Sequence, residues 1–113
     1  MNDYLSRLRS CLEREFYANN FAEIASIALK AAGNVDRPLF FYVVWGIFQR
    51  LADYWTGRRL DDEAGKHLEA LLKPPIISYL DGVESGLSPE LEVEYLNAIA
   101  RAHLVWLDER SPK

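Results

Sequence analysis

The chain has 113 residues, of which half are apolar and 12% are aromatic, and its formal net charge is −4 at pH 7. A chain of this length and hydrophobicity can bury the core of one globular domain, which excludes an intrinsically disordered protein. The negative charge disfavours a general nucleic-acid binder, and the single Cys11 excludes both an internal disulfide framework and a cluster that needs several thiolates.

The first third of the chain predicts two helices. Apolar residues recur at three- and four-residue steps and indicate an amphipathic helix over about residues 3–17: Leu5, Leu8, Leu12 and Phe16. A second helix is predicted to begin near Asn20, because Glu23 follows at the spacing of a capping box. It is predicted to end at Gly33, a residue suited to a left-handed helix stop.

The third predicted helix runs from Asp36, as N-cap, to about residue 56. It holds seven of the fourteen aromatic residues of the chain: Phe40, Phe41, Tyr42, Trp45, Phe48, Tyr54 and Trp55. Because helices that are apolar on every side are usually buried, this one is expected to be the central helix of the domain. Gly46 is expected to mark a close helix crossing.

The second half of the chain predicts two or three more helices. Acidic residues 61–63 are expected to open one of them, because the helix dipole favours negative charge at its N-terminus. Pro74 and Pro75 are expected to break or sharply kink that helix, and a short helix is expected to restart there. Ser88 followed by Pro89 predicts the start of the last helix.

These elements predict an all-α fold, a single compact domain of five to six helices packed around the aromatic-rich helix at about 36–56. The domain is expected to span residues 1–113, with 109–113 as a frayed tail. The longest apolar run, residues 39–48, is too short to cross a bilayer. The N-terminus lacks the apolar region of a secretory signal, so a cytoplasmic protein without membrane contact is expected.

Few residues in this chain suit catalysis or metal binding. Cys11 lies on the apolar side of the first predicted helix, where a thiol behaves as a small buried hydrophobe. Glu63 and His67 are four residues apart and share a helical face, and His103 could complete a metal site with them. Such a pair also arises by chance near a helix N-terminus. We therefore expect a protein that is not an enzyme and that uses no metal or cofactor.

The second and third predicted helices suggest one alternative function. Residues 24–33, a short turn and residues 39–42 loosely resemble the DNA-binding end of TetR-type repressors over about a fifth of the chain. The resemblance implies a helix-turn-helix regulator that binds DNA. The sequence departs from that pattern in the recognition helix, where an aromatic block replaces the polar and basic groups that contact bases and phosphates.

A protein-binding site is predicted at the C-terminal end of the aromatic helix. It comprises Arg50, Tyr54, Trp55, Arg58 and Arg59, and these residue types are enriched in interface hot spots. In the alternative arrangement Tyr54 and Trp55 pack inward, and the arginines only complement the C-terminal end of the helix dipole.

The expected function is therefore non-catalytic: a small cytoplasmic protein that binds another protein as an adaptor, an assembly factor, or an antitoxin or immunity type of inhibitor. Association with a second copy of the chain, as a homodimer, is also compatible with the sequence. The alternatives are a DNA-binding regulator and a helical protein that binds a small ligand or metal. A deep cavity lined by Phe41 and Trp45 would favour a ligand, whereas a flat exposed aromatic patch would favour a protein partner.

Overall fold

The computed structural model describes residues 3–16, 20–57 and 59–110, and among these it describes all side chains except those of residues 84 and 106–110. This part of the chain forms five helices and no β-strand. The helices are α1 (Asp3–Leu12), α2 (Asn20–Ala32), α3 (Leu39–Trp55), α4 (Asp62–Ser85) and α5 (Pro89–Arg110). The prediction of a compact all-α fold is confirmed. In the described ranges, no helix is both long enough and apolar enough to cross a membrane.

The starts of α4 and α5 follow directly from local sequence. The Asp61 carboxylate accepts a 2.7 Å hydrogen bond from the Ala64 amide, and the Ser88 hydroxyl accepts one of 3.2 Å from the Leu91 amide. Each cap satisfies an amide that the first turn leaves without a helical partner. α4 ends at Gly86, whose φ of 87° is the left-handed conformation that glycine adopts without strain.

α2 begins at Asn20 and ends just before Gly33, as predicted, but it does not end in a left-handed glycine. The Asn20 side-chain amide donates a 3.1 Å hydrogen bond to the Glu15 carbonyl, and the Glu23 carboxylate lies 3.6 Å from the Cys11 sulfur on α1. The Gly33 amide still donates to the Leu29 carbonyl at 3.3 Å, which continues the helical pattern by one residue.

α3 begins later than predicted. Its first residue is Leu39, and Pro38 occupies the N-cap position without a side-chain cap hydrogen bond. Asp36 is therefore not the N-cap. The helix starts only a few residues later than predicted. Pro38 suits the N-cap position because it has no amide hydrogen to leave unsatisfied there.

α4 is one helix of 24 residues that includes Pro74 and Pro75, so the separate short helix predicted after them is wrong. Neither proline can donate a hydrogen bond, so the carbonyls of Ala70 and Leu71 lose their usual partners four residues ahead. Packing compensates for this loss, because the apolar side of α4 is buried on both sides of the prolines at Leu68, Leu72, Ile76, Tyr79 and Leu80.

The helices pack in a definite order. α2 and α3 form the most extensive pair, α1 lies against α2, and α5 lies against both α4 and α3. α1 also touches α4, where the Arg9 guanidinium donates a 2.7 Å hydrogen bond to the Asp81 carboxylate. α5 reaches Arg110 and so includes the first two residues of the predicted tail, whereas residues 111–113 lie outside the described part of the chain.

Aromatic rings fill much of the core and join the helices. They form two clusters: Phe16, Phe21 and Phe48 in one, and Phe40, Phe41 and Tyr79 in the other. The rings of Phe40 and Tyr79 are nearly parallel, with centroids 3.8 Å apart, and they connect α3 to α4. Phe41 meets the edge of the same tyrosine ring at 5.5 Å.

α3 is buried on one face rather than on all sides. The buried face is formed by Phe40, Phe41, Val44, Ile47, Phe48, Leu51, Ala52 and Trp55. On the opposite side, Leu39, Tyr42 and Trp45 are exposed by 55%, 45% and 36%. Gly46 marks no close crossing, because a Cβ atom placed there would meet no heavy atom of the described residues within 4 Å.

Candidate functional site

The exposed side of the N-terminal half of α3 is an apolar surface, which we call the α3 face: Leu39, Tyr42, Trp45 and Gly46. These positions are three or four residues apart or adjacent along the chain, so they occupy neighbouring places on one side of the helix. At Gly46, a Cβ atom would meet no heavy atom of the described residues within 4 Å. The α3 face therefore combines large apolar side chains with direct access to the helix backbone.

The C-terminal half of the same side of α3 is polar. Gln49, Arg50 and Asp53 are exposed, and the Gln49 amide donates a 3.2 Å hydrogen bond to the Asp53 carboxylate. Gln49 follows Tyr42 by seven residues, which is nearly two helical turns, so both project from the same side. This spacing is the signal in the sequence that identifies the exposed side of α3, because the run of residues 39–48 is apolar throughout.

The five residues of the predicted protein-binding site have different environments. Arg50 and Arg59 are exposed, Tyr54 is half-buried, and Trp55 is only 7% exposed. The Tyr54 and Trp55 rings meet edge to face with centroids 5.1 Å apart. Arg58 lies outside the described residues. As predicted for the alternative arrangement, Trp55 packs inward, and a binding role for the arginines stays a prediction.

The Cys11 thiol is not poised for nucleophilic chemistry. The residue is buried, and its Sγ atom lies 3.6 Å from the Glu23 carboxylate. Burial, followed by the negative charge of Glu23, raises the pKa of the thiol, although Arg14 and Arg7 oppose the shift. Because the thiolate is the reactive form, this environment disfavours attack by the sulfur.

The predicted metal ligands do not form a site in the described part of the chain. No three side chains of the types His, Cys, Asp and Glu come together there in a way that could hold an ion. His67 and Glu63 are exposed on α4, and His103 is half-buried on α5. α5 packs against α3, and burial, followed by the charge of Arg50 on α3, lowers the pKa of His103.

The surface expected to read DNA in a helix-turn-helix protein is apolar in this chain. α2, the turn at 33–38 and α3 do follow one another, as the resemblance to TetR-type repressors implies. The exposed side of α3, however, begins with Leu39, Tyr42 and Trp45. Base recognition needs polar groups at those places.

Comparison with profiles of known protein families, with curated proteins and with solved structures found no match to this chain.

Proposed function

We propose that this protein is non-catalytic and acts by binding another protein through the α3 face, as an adaptor, an assembly factor, or an antitoxin or immunity type of inhibitor. The observation that carries the proposal is the exposure of Leu39, Tyr42 and Trp45 on one side of a helix whose other side is fully buried. Clustered exposed apolar residues of this size are typical of interaction sites.

The composition of the α3 face suits a contact that is strong for its area. Tyr and Trp are enriched in interface hot spots, because their rings remove much apolar surface from water with few rotatable bonds. At roughly 25 cal/mol per Å², complete burial of one such ring is worth a few kcal/mol before the costs of association. Gly46 would admit a side chain of the partner against the α3 backbone.

The charges beside the α3 face indicate the chemistry of the partner. The polar end of the same side of α3 exposes Arg50 and Asp53, and Arg59 is exposed shortly after the helix, so two of these three charged groups are cationic. A partner with an apolar ridge bordered by acidic groups would complement both features. Arg50 and Arg59 are in this way retained from the predicted binding site as cationic groups that lie C-terminal to the α3 face along the chain.

The position of α3 in the domain also supports this role. We infer that the domain is organised around α3, since it packs against α2 and α5 and its rings reach Phe16, which follows α1, and Tyr79 of α4. A binding residue on such a helix is held by the whole core, which reduces the entropy lost on association.

The test is quantitative capture of bound proteins from the source cells by the native chain and by a Tyr42→Ser, Trp45→Ser double variant. Both side chains are exposed, so we expect the variant to fold with a stability close to the native value. We expect the variant to capture at most one-tenth as much of a specific partner as the native chain does. This corresponds to a loss of about 1.4 kcal/mol or more in the free energy of binding. Leu104→Ser is the matched control, because it removes a 62% exposed apolar side chain from α5.

Two outcomes would contradict the proposal. In the first, the native chain and the double variant capture the same proteins in the same amounts. In the second, Leu104→Ser reduces capture as much as the double variant, which would indicate general apolar adhesion. Light scattering of the purified chain distinguishes a second copy from a different protein, since only self-association makes the mass depend on concentration.

A further inference from the structure

A cavity of about 340 Å³ lies apart from the α3 face, where the α2–α3 connection meets the C-terminal half of α4 and the start of α5. Its volume is within the range of small-molecule sites, roughly 300–1,000 Å³. Phe41 and Tyr79, each 1% exposed, form its aromatic wall, and Val83 and Leu87 add apolar surface. Trp45 does not line it, so this is not the cavity of Phe41 and Trp45 that the sequence suggested.

One side of the cavity carries a carboxylate with incomplete hydrogen bonding. The Glu92 side chain is 14% exposed, and its Oε2 atom is buried without a hydrogen bond from the described residues. The Arg37 guanidinium forms an ion pair with it, and the Nη1 atom is 3.7 Å from that oxygen. A charge-assisted hydrogen bond would be about 2.7–2.9 Å long. Glu92 can therefore accept a stronger donor than it now has.

The two members of this ion pair differ in freedom. Glu92 is held by α5 and is mostly buried, whereas the Arg37 side chain is 52% exposed in the connection before α3. Displacing the half-exposed Arg37 side chain into water therefore costs less than moving the mostly buried Glu92 carboxylate. Asp36 also lines the cavity, so its charged groups carry one net negative charge at neutral pH. A cation is favoured over an anion on this count.

The aromatic wall remains neutral under ordinary conditions. Burial, followed by the negative charge of Glu92, raises the pKa of Tyr79 to about 12, with Arg37 opposing the shift. The phenol therefore keeps its proton and adds no negative charge to the cavity. Its ring and that of Phe41 offer a surface for an apolar or aromatic group.

We propose that this cavity binds a small primary amine with an apolar or aromatic body. The ammonium group takes the place of Arg37 beside the Glu92 carboxylate and donates hydrogen bonds to it. The body of the ligand lies against Phe41 and Tyr79. The inference is independent of the α3 face and holds whether or not that surface binds a protein.

The first experiment titrates the whole chain with benzylamine and follows the backbone amide signals by NMR. Benzoate and benzyl alcohol have the same ring with a negative or neutral group, so they are the matched probes. We expect saturable shifts at Val83 and Leu87, with a dissociation constant of about 1 mM or tighter for the amine alone. Overturning results would be equal binding of benzyl alcohol, stronger binding of benzoate, or no saturable binding of benzylamine.

Substitutions of the two members of the ion pair give an independent test, because they should change the affinity for benzylamine in opposite directions. Glu92→Gln keeps the side-chain size and should weaken benzylamine by about tenfold or more, since the charged acceptor is lost. Arg37→Gln removes the competitor and should tighten binding several-fold. Glu94→Gln is the matched control, because Glu94 is exposed on the same helix. This variant should bind benzylamine as tightly as the native chain does.

These variants decide the proposal even if Glu92→Gln folds poorly. Arg37 is exposed, so its substitution leaves the core intact and its effect is measured in a folded protein. Weaker binding of benzylamine to Arg37→Gln would overturn the proposal, because it would mean that the guanidinium helps to hold the ligand. An effect of Glu94→Gln equal to that of Glu92→Gln would overturn it as well, by showing only general attraction to negative charge.

Discussion

Replacing Gly46 by Ala should stabilise the protein. Gly46 lies inside α3, where glycine costs about 0.8–1.0 kcal/mol relative to alanine. Part of this cost arises because glycine gives the unfolded chain more conformational entropy to lose on folding. The added methyl group meets no heavy atom of the described residues within 4 Å, and the backbone is not left-handed there. No steric cost opposes the gain. We expect the free energy of unfolding to rise by about 1 kcal/mol and Tm to rise by roughly 4 °C.

Gly82 provides the matched comparison. It is also inside a helix, α4, so Gly82→Ala gives the same gain in helix propensity. Its added methyl group, however, would lie 2.7 Å from Leu87 Cδ1 and 3.7 Å from Tyr95 Cε2. The contacted atom is the far end of a flexible, half-buried leucine side chain, so the leucine can shift at a cost that offsets part of the gain. Gly82→Ala should therefore stabilise the protein less than Gly46→Ala does.

Urea denaturation of the native chain and of both variants, followed by circular dichroism, measures these differences. Equal stabilisation by the two substitutions would refute the steric argument at Gly82. Destabilisation by Gly46→Ala would refute the description of Gly46 as open on its outer side. Because Gly46 belongs to the α3 face, the same variant should be more stable and yet bind the partner less well, a combination that an unfolding defect cannot produce.

Three further predictions concern ionisation and the α4 prolines. Burial raises the pKa of Tyr79 to about 12, so the native chain should lose up to about 3 kcal/mol of stability between pH 10 and 12, as the unfolded chain loses its phenolic proton first. In urea titrations over the same pH range, Tyr79→Phe should not show this loss of stability, because it has no phenolic proton at that position. Burial and Arg50 lower the pKa of His103, so protonation of the unfolded chain should cost stability below about pH 6.5. Arg50→Gln should raise the pKa of His103 in an NMR titration, whereas an equal rise in Arg59→Gln would contradict a local effect. Pro74→Ala returns a hydrogen-bond donor to the interior of α4 and should stabilise the protein by about 1–3 kcal/mol in thermal unfolding; an unchanged Tm would contradict this.

The starts of α4 and α5 could be predicted because they depend on neighbouring residues. Asp61 and Ser88 each cap an amide three residues ahead, and a proline follows Ser88 directly. Such chemistry is complete within one turn and needs no information about the rest of the fold. The prediction of a separate short helix after Pro74 and Pro75 was wrong for the converse reason. The cost of the two prolines is local, but the burial that offsets it comes from the neighbouring helices.

The sequence could not reveal which side of α3 faces water by apolar periodicity, because residues 39–48 are apolar throughout. Gln49 and Asp53 do mark that side, but only when their spacing is followed back by whole turns to Tyr42. The inward packing of Trp55 was likewise one of two arrangements left open. Its residue type favoured a place in an interface, but Trp55 lies on the buried face of α3 and is only 7% exposed.

The cavity could not be predicted at all, because its parts come from three separate segments. Arg37, Tyr79 and Glu92 are far apart in sequence and share no repeat or spacing rule. Their meeting depends on how α4 and α5 pack beside the α2–α3 connection. The partial hydrogen bonding of Glu92 is likewise a consequence of tertiary structure, since the same residue in an isolated helix would be hydrated.

The two candidate sites should respond to substitution independently, although they share α3. Phe41 and Tyr42 are consecutive, so their side chains point about 100° apart around the helix, one into the cavity and the other into solvent. Tyr42→Ser with Trp45→Ser should therefore abolish partner capture and leave the benzylamine affinity within about twofold of the native value. Glu92→Gln should do the reverse. If one substitution removed both activities while circular dichroism showed an intact fold, the two surfaces would be coupled through α3, and the separation argued from side-chain direction would be wrong.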